Sequence, residues 1–320
     1  MNMEHTLSSR LNTLLVQKAS LVPQHVPQEI PHGDMPGDKI VIDEGHIQKA
    51  NTLTPPLIAL LAKILEQKKC PRCVIGVCGG SGVGKSETAS LLGWYLRQLD
   101  VPCYILSGDN YPYRIPKHND AERMRVFRDS GIKGLFAHGV YTAEIGGILH
   151  ELMLRDQDAD PRLCETHPWL SIYQATGRNG LKRISGHAQR NRFSRVTDII
   201  AQFQNGAQAI MLKRMGREEA QLWYDLVDFS NVSVLIIEWT HSNSDFLSGV
   251  DLPILLNSTP QETLAHRRQR NRDGKTDSPF TTMVLEIEQA LLTAQAHKAK
   301  LILSKSGKLL SYEEFCGMMK

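Results

Sequence analysis

Apolar residues fall along the chain in two rhythms, and the two alternate. Over residues 56–69, Leu57, Ile58, Leu60, Leu61, Ile64 and Leu65 recur three and four positions apart, which predicts a helix with one face on a core. Residues 73–78 (CVIGVC), 102–107 (PCYILS), 232–238 (VSVLIIE), 252–256 and 300–304 are instead short apolar runs. Such runs predict strands covered on both faces, because a half-exposed strand would alternate apolar with polar positions. Helical patterns lie between them, one of them over residues 85–97. Strands separated by helices predict an α/β fold with a mainly parallel sheet, since parallel neighbours need crossover connections that lay helices on both faces. Ligands then gather at the carboxyl ends of the strands.

Two regions depart from this rhythm. Pro23, Pro27, Pro31 and Pro36 fall within a stretch that no long helix or central strand could carry, so residues 1–50 are expected to be an N-terminal extension to a domain spanning 51–320. Residues 155–195 fit no clear element and are expected to be an insertion over the sheet. There is no internal repeat.

Composition narrows the function classes. The 320 residues carry 37 Lys plus Arg against 34 Asp plus Glu, a net charge of +3, which argues against whole-surface coating of nucleic acid. With 41% hydrophobic and 22% charged residues the chain can bury a large core, so wholesale disorder is excluded. It has no apolar run of about 18 residues, and its start, MNMEHTLSSRLNTLL, lacks the pattern of a secretion signal, so a cytoplasmic location without membrane contact is expected. The six cysteines are irregularly spaced and are expected to be mostly reduced thiols. Cys70-Pro-Arg-Cys73 is a lone C-x-x-C, for which a zinc site would need distant partners such as His138 or His187.

The chemistry concentrates after the first strand. Residues 79–86 read GGSGVGKS and satisfy G-x-x-x-x-G-K-[ST] between a predicted strand and a predicted helix, where the mechanism requires it. Glycines let the backbone wrap until its N–H groups point at phosphate oxygens, and the helix start adds partial positive charge. Gly79, Gly80, Ser81, Gly82, Val83, Gly84, Lys85, Ser86 and Glu87 are therefore expected to bind a nucleotide triphosphate, with Lys85 on the β- and γ-phosphates and Ser86 on Mg²⁺. This places the fold among P-loop NTPase three-layer sandwiches, with ATP and Mg²⁺ as cofactors.

Asp109 follows the second strand in ILSGDNYPYR, and Glu238 closes VSVLIIE. A carboxylate at the first position could take a proton from an acceptor hydroxyl or serve as a turn residue; one at the second could hold Mg²⁺ or its waters. Farther on, Arg267, Arg268, Arg270 and Arg272 precede Asp273-Gly274-Lys275, a density of guanidinium groups suited to clamping phosphates. Positions 268 and 272 share one helix face and 267 and 270 another, so one pair binds and the other is solvated.

Together, GGSGVGKS, ILSGDNYPYR, VLIIE and AHRRQRNRD resemble the glycine loop, strand-end Asp motif, strand-end Glu and arginine-rich lid of the phosphoribulokinase and uridine kinase family of P-loop kinases, to which bacterial pantothenate kinases also belong. The resemblance spans residues 74–275 and follows family order. It implies ATP with Mg²⁺, an alcohol acceptor, Asp109 as catalytic base, and a lid over 264–277 whose Arg268 and Arg272 meet the transferred phosphate. Trp239 stands where that family commonly has Gly, and an extra residue separates Asp109 from Tyr113-Arg114.

The acceptor has its own clues. Residues 166–197 hold no acidic side chain but carry Arg178, Lys182, Arg183, Arg190, Arg192 and Arg195, either a solvated basic loop or a segment that focuses an anion into a cleft. Arg190 and Arg192 are expected to face an anionic or polyol acceptor, with Tyr111, Tyr113, Arg114 and His118 as another wall. The expected function is transfer of the ATP γ-phosphoryl group to a hydroxyl of a sugar, sugar phosphate, polyol, acid or nucleoside. Expected partners are that small-molecule acceptor and a second copy of the chain, with no nucleic acid. Two other readings stand beside it. A nucleotide-switch or metallochaperone-type GTPase would use the C-x-x-C, though residues 304–307 (SKSG) lack the carboxylate that pairs with guanine. A non-catalytic ATP-binding regulator would account for Trp239.

Overall fold

The apolar runs become the parallel strands of a six-stranded sheet. The computed structural model describes residues 6–16, 21–186, 191–270 and 278–319. Its elements run α1 (Leu7–Val16), α2 (Glu44–Gln67), β1 (Cys73–Gly79), α3 (Lys85–Gln98), β2 (Cys103–Ser107), α4 (Asn119–Ala137), α5 (Ala143–Leu154), α6 (Leu170–Ile184), α7 (Phe193–Gln204), β3 (Ala209–Met215), β4 (Leu222–Asp228), β5 (Val234–Glu238), β6 (Leu252–Leu256), α8 (Leu264–Arg270), α9 (Pro279–Gln295), β7 (Leu301–Leu303), β8 (Leu309–Leu310) and α10 (Tyr312–Met318). The strand order is β2-β5-β1-β6-β7-β8, parallel throughout except for the antiparallel β8.

Every residue of β1, β5 and β6 is buried, which is why those strands read as unbroken apolar runs. On one face Ile75, Val77, Ile236 and Ile254 pack with Leu57 and Leu61 of α2 and Leu92 and Leu96 of α3. On the other, Val74, Leu235 and Ile237 pack with Val196, Ile200 and Phe203 of α7. The result is the expected three-layer α/β arrangement. β1 lies between β5 and β6, so the chain leaves it in one direction to reach β2 and returns in the other to reach β6; a crevice opens at such a switch point.

A third core is mainly helical, with Phe127 of α4, Leu149 of α5, Tyr173 of α6 and Phe280 and Ile287 of α9. Residues 155–195 therefore hold a helix that their apolar pattern did not reveal. The reason is close packing through small residues: a Cβ on Gly134 of α4 would overlap Thr176, and one on Gly180 of α6 would overlap Ser130. Such an interface needs few large apolar side chains.

The N-terminal region also differs from expectation. α2 begins at Glu44, not near residue 56, and runs through Pro55 and Pro56. Asp43 caps it, accepting from the His46 N–H at 2.9 Å. An interior proline costs a helix about 3 kcal/mol. Burying Leu53, Leu57, Ile58, Leu61 and Leu65 along one face, at about 1.5–3 kcal/mol each, offsets it. Leu11 of α1 and Ile30 join the same core, so residues before 50 contribute to it. The β3–β4 hairpin escaped the sequence because Lys213, Arg214 and Asp225 interrupt its apolar pattern. Among the described residues no helix is long and apolar enough to cross a membrane.

Candidate active site

The GGSGVGKS segment joins β1 to α3 as a tight loop at the strand edge. Gly82 and Gly84 take φ values of 78° and 93°, which side-chain-bearing residues rarely adopt. Both are also covered, because a Cβ would lie 2.9 Å from Arg267 Cγ at Gly82 and 2.7 Å from the His46 ring at Gly84. Lys85 Nζ donates to the Gly80 carbonyl at 3.1 Å. Ser86 Oγ donates to Glu238 Oε1 at 3.1 Å, and Ser107 Oγ donates to Oε2 at 3.3 Å. The register of β1, β5 and β2 produces this cluster, setting Glu238 beside both Val77 and Ser107.

Glu238 is buried, and burial pushes its carboxyl up to about 7, with Asp109 and Asp38 adding to the rise and Lys85 opposing it. Burial and the two neighbouring carboxylates outweigh the single Lys85 charge, so a further cation would favour the ionised form. The hard oxygen donors of Ser86 and Glu238 fit Mg²⁺, and among the described residues no group of three or more His, Cys, Asp or Glu forms an all-protein metal cage. Mg²⁺ keeps waters and phosphate oxygens as ligands, so two protein oxygens would be enough to hold it. When bound, it would neutralise charge on the phosphates. The C-x-x-C fits zinc poorly: Cys73 is fully buried in β1, and burial raises its thiol pKa, opposing the thiolate that zinc needs.

Asp109 is exposed on a single 3₁₀ turn, Gly108–Asn110, directly after β2. Both of its neighbours are clamped. A Cβ on Gly108 would overlap the Trp239 side chain, which is buried, lies 4.9 Å centroid to centroid from Phe193, and donates its backbone N–H to the Val77 carbonyl at 3.1 Å. Trp239 thus forms the floor beneath Asp109. On the other side, Asn110 Oδ1 accepts from the Met215 N–H at 2.9 Å and its Nδ2 donates to Asp34 at 2.9 Å. Asp34 also accepts from the Ser107 N–H (2.7 Å), Tyr104 hydroxyl (2.8 Å) and Arg214 (2.7 Å). Burial raises the Asp34 pKa while the Arg214 charge pulls it down.

Beside Asp109 lies a cleft of about 130 Å³ whose wall includes Arg123 of α4, Asn191 ahead of α7, Trp239 and His241 after β5, and Glu288 of α9. Polar groups over an indole floor suit a hydroxylated ligand. Arg123 Nη1 donates to Asp120 at 2.8 Å, while its buried Nε finds no partner among the described residues. Asn191 is held in place as a bridge to Pro112, next to Arg192, whose N–H donates to the Tyr111 carbonyl at 2.9 Å.

The expected site residues separate accordingly. Residues 79–86, Asp109 and Glu238 come together at the edges of β1, β2 and β5. Glu87 is buried on α3. Arg267, not Arg268, lies against Gly82, its guanidinium donating to the Pro260 carbonyl at 2.8 Å and to Thr263 Oγ1. Arg268 is exposed, and Arg272, like Arg190, lies outside the described residues. Tyr111 is corrected from cleft wall to core: its ring is wholly buried with Phe193 and Val196, since an aromatic one step past the turn points beneath the sheet edge. Tyr113 is exposed with Arg192 over its ring at 5.1 Å, Arg114 pairs with Glu122 at 3.2 Å, and His118 pairs with Glu219 at 2.9 Å. Among the described basic residues of the segment, Arg178 pairs with Glu286, Arg195 donates to the Met211 carbonyl, Lys182 and Arg183 face solvent, and none of these four lines the cleft.

Other site residues carried no motif. Lys49 of α2 is buried beneath the glycine loop and donates to the Val83 carbonyl at 3.0 Å. Burial lowers its pKa to about 8, helped by Lys305 and opposed by Asp43 and Glu87. A lysine in line with the apolar face of a helix is the signal that could have found it. Asp34, Asn191, His241 and Glu288 offered none.

No protein-family model matches the chain. It is 37% identical over 243 residues, 76% of its length, to the bifunctional alpha-galactosidase/sucrose kinase AgaSK of Mediterraneibacter gnavus, of which it spans 21%. A crystal structure from Silicibacter sp. TM1040, provisionally described as a fructose transport system kinase, aligns with 75% of this chain and 93% of its own at 16% identity and a TM-score of 0.42.

Proposed function

We propose that the chain is an ATP-dependent kinase that phosphorylates a hydroxyl of a sugar, and that it belongs with the phosphoribulokinase and uridine kinase group. The observation that carries this reading is the position of Asp109, between the Ser86–Glu238 pair at the phosphate loop and the polar cleft. In it, the acceptor oxygen attacks the γ-phosphorus in line, its proton passes to Asp109, and the bond to the β-phosphate oxygen breaks to release ADP. Lys85 and Arg267 stabilise the charge spread over the transferred group. Of the two activities named for the similar AgaSK protein, only phosphoryl transfer uses a glycine-lined phosphate loop. Sucrose is accordingly the first acceptor to test.

The test is acceptor-dependent ADP release with ATP and Mg²⁺ over sucrose, fructose, other sugars, sugar phosphates, polyols and nucleosides. Lys85→Ala serves as control and should lose at least about 10²-fold in turnover. Nucleotide binding without ADP release for any acceptor would sink the kinase reading in favour of a regulator.

A further inference from the structure

The carboxylate of Glu288 sits where another anion is expected. Its Oε1 accepts from the Ser81 N–H at 3.1 Å, within the loop whose backbone N–H groups serve phosphate oxygens. A Cβ on Gly80 would lie 3.9 Å from both the Glu288 and Gln289 side-chain oxygens, so α9 rests directly on the loop. The same glutamate lines the cleft with Asp109, Arg123 and His241, and it also borders a narrow gap beside Thr263 and Arg267. One side chain therefore touches the donor loop and borders both the gap shared with Arg267 and the acceptor cleft. Its backbone is fixed, because Ile287 and Leu292 on either side are buried, which leaves the side chain as the part that turns.

A phosphate and a carboxylate cannot share the Ser81 N–H. Two unit negative charges about 4 Å apart repel by roughly 4 kcal/mol at a partly buried site. A γ-phosphate arriving at the loop must displace Glu288, and the cleft is the polar space it adjoins.

We propose that Glu288 is an acceptor-binding residue whose carboxylate competes with the nucleotide for the Ser81 N–H; ATP turns it into the cleft, where it accepts a hydrogen bond from a hydroxyl of an uncharged sugar. The proposal rests on the kinase reading above. It makes ATP the ligand that completes the acceptor site, and it gives the cleft a second carboxylate beside Asp109, a setting suited to hydroxyl donors and hostile to phosphorylated sugars.

The test measures, by calorimetry, binding of the non-hydrolysable analogue adenosine 5′-(β,γ-imido)triphosphate with Mg²⁺ to the wild-type chain, Glu288→Gln and Glu288→Ala. It is paired with the acceptor KM for the sugar that gives the highest turnover in the ADP assay. Both variants should bind the analogue about fivefold more tightly, since the competing carboxylate charge is gone, while the acceptor KM rises about tenfold. Nucleotide binding unchanged or weakened in both variants, or an acceptor KM that does not move, overturns the proposal and leaves the kinase reading standing. A wild-type chain that does not bind the analogue overturns the kinase reading, and this inference with it.

Discussion

The two sides of the candidate site, the glycine loop and the cleft beside Asp109, are made in different ways. The donor wall is nearly continuous in sequence: residues 79–86 form the loop, and Glu238 and Ser107 reach it because β5 pairs with both β1 and β2. Much of its chemistry is backbone, held by a buried parallel sheet. The acceptor wall draws single side chains from several elements, Arg123 from α4, Asn191 ahead of α7, His241 after β5 and Glu288 from α9. Arg123 and Glu288 ride on helices of the core around Phe127, Tyr173 and Ile287, whereas Asn191 and His241 sit beside Phe193 and Trp239 of the sheet-face core. In the proposed kinase a side made of backbone donors would serve one chemistry, phosphate binding, whereas a side made of single side chains can be respecified one residue at a time. Asp109 stands where the two meet, and the sharpest experiments act there.

The largest effect is expected from Asp109→Asn. If the turn aspartate takes the acceptor proton, kcat falls about 10²- to 10⁴-fold while the Kd for the ATP analogue stays within about twofold. A near-normal kcat would show that the seam is positional only and that catalysis belongs to the donor wall.

Next comes Gly108→Ala, which leaves all polar groups in place but drives a methyl into Trp239. Overpacking of this kind costs about 1–3 kcal/mol, so thermal melting should shift downward by several degrees, and kcat should fall through displacement of Asp109. A melting temperature equal to wild type would mean that Trp239 yields easily and is not the floor of the seam.

The smallest effect concerns Lys49. Its folded pKa lies near 8, below the ordinary 10.5, so between those values the unfolded chain binds more protons and Lys49 makes stability rise with pH. Nucleotide affinity should move the opposite way, falling by about threefold as the buried charge under Val83 is lost above pH 8. Lys49→Met should flatten both profiles measured by titration from pH 7 to 10, with Lys305 retaining part of the nucleotide effect. An unchanged profile in that variant would assign the dependence to other groups.

Legibility followed the same division. The strand runs at 73–78, 102–107, 232–238, 252–256 and 300–304 correspond to β1, β2, β5, β6 and β7 within a residue or two, because strands buried on both faces must be apolar throughout. α6 was not legible, since Gly177 and Gly180 pack against α4 where a pattern search looks for leucines. Helical spacing leaves the pairs 267/270 and 268/272 as alternatives, and Arg267 meets the loop because of how α8 is rotated when it docks on Gly82. Tyr111 was grouped with its polar neighbours, and the turn at Gly108–Asn110 directs it into the core instead.

What the sequence determined by itself is local: a strand, a glycine loop and a helix start, whose spacing is dictated by backbone geometry over eight residues. It also determined the α/β class, since burial on both faces of a sheet is written in composition. Only tertiary structure decided that Asp34 braces the turn carrying Asp109, that Lys49 supports Val83, and that Glu288 reaches Ser81 from 207 positions away. Those pairings depend on how helices rotate and dock as whole bodies, and single polar residues far apart in the chain carry no periodicity that would announce them.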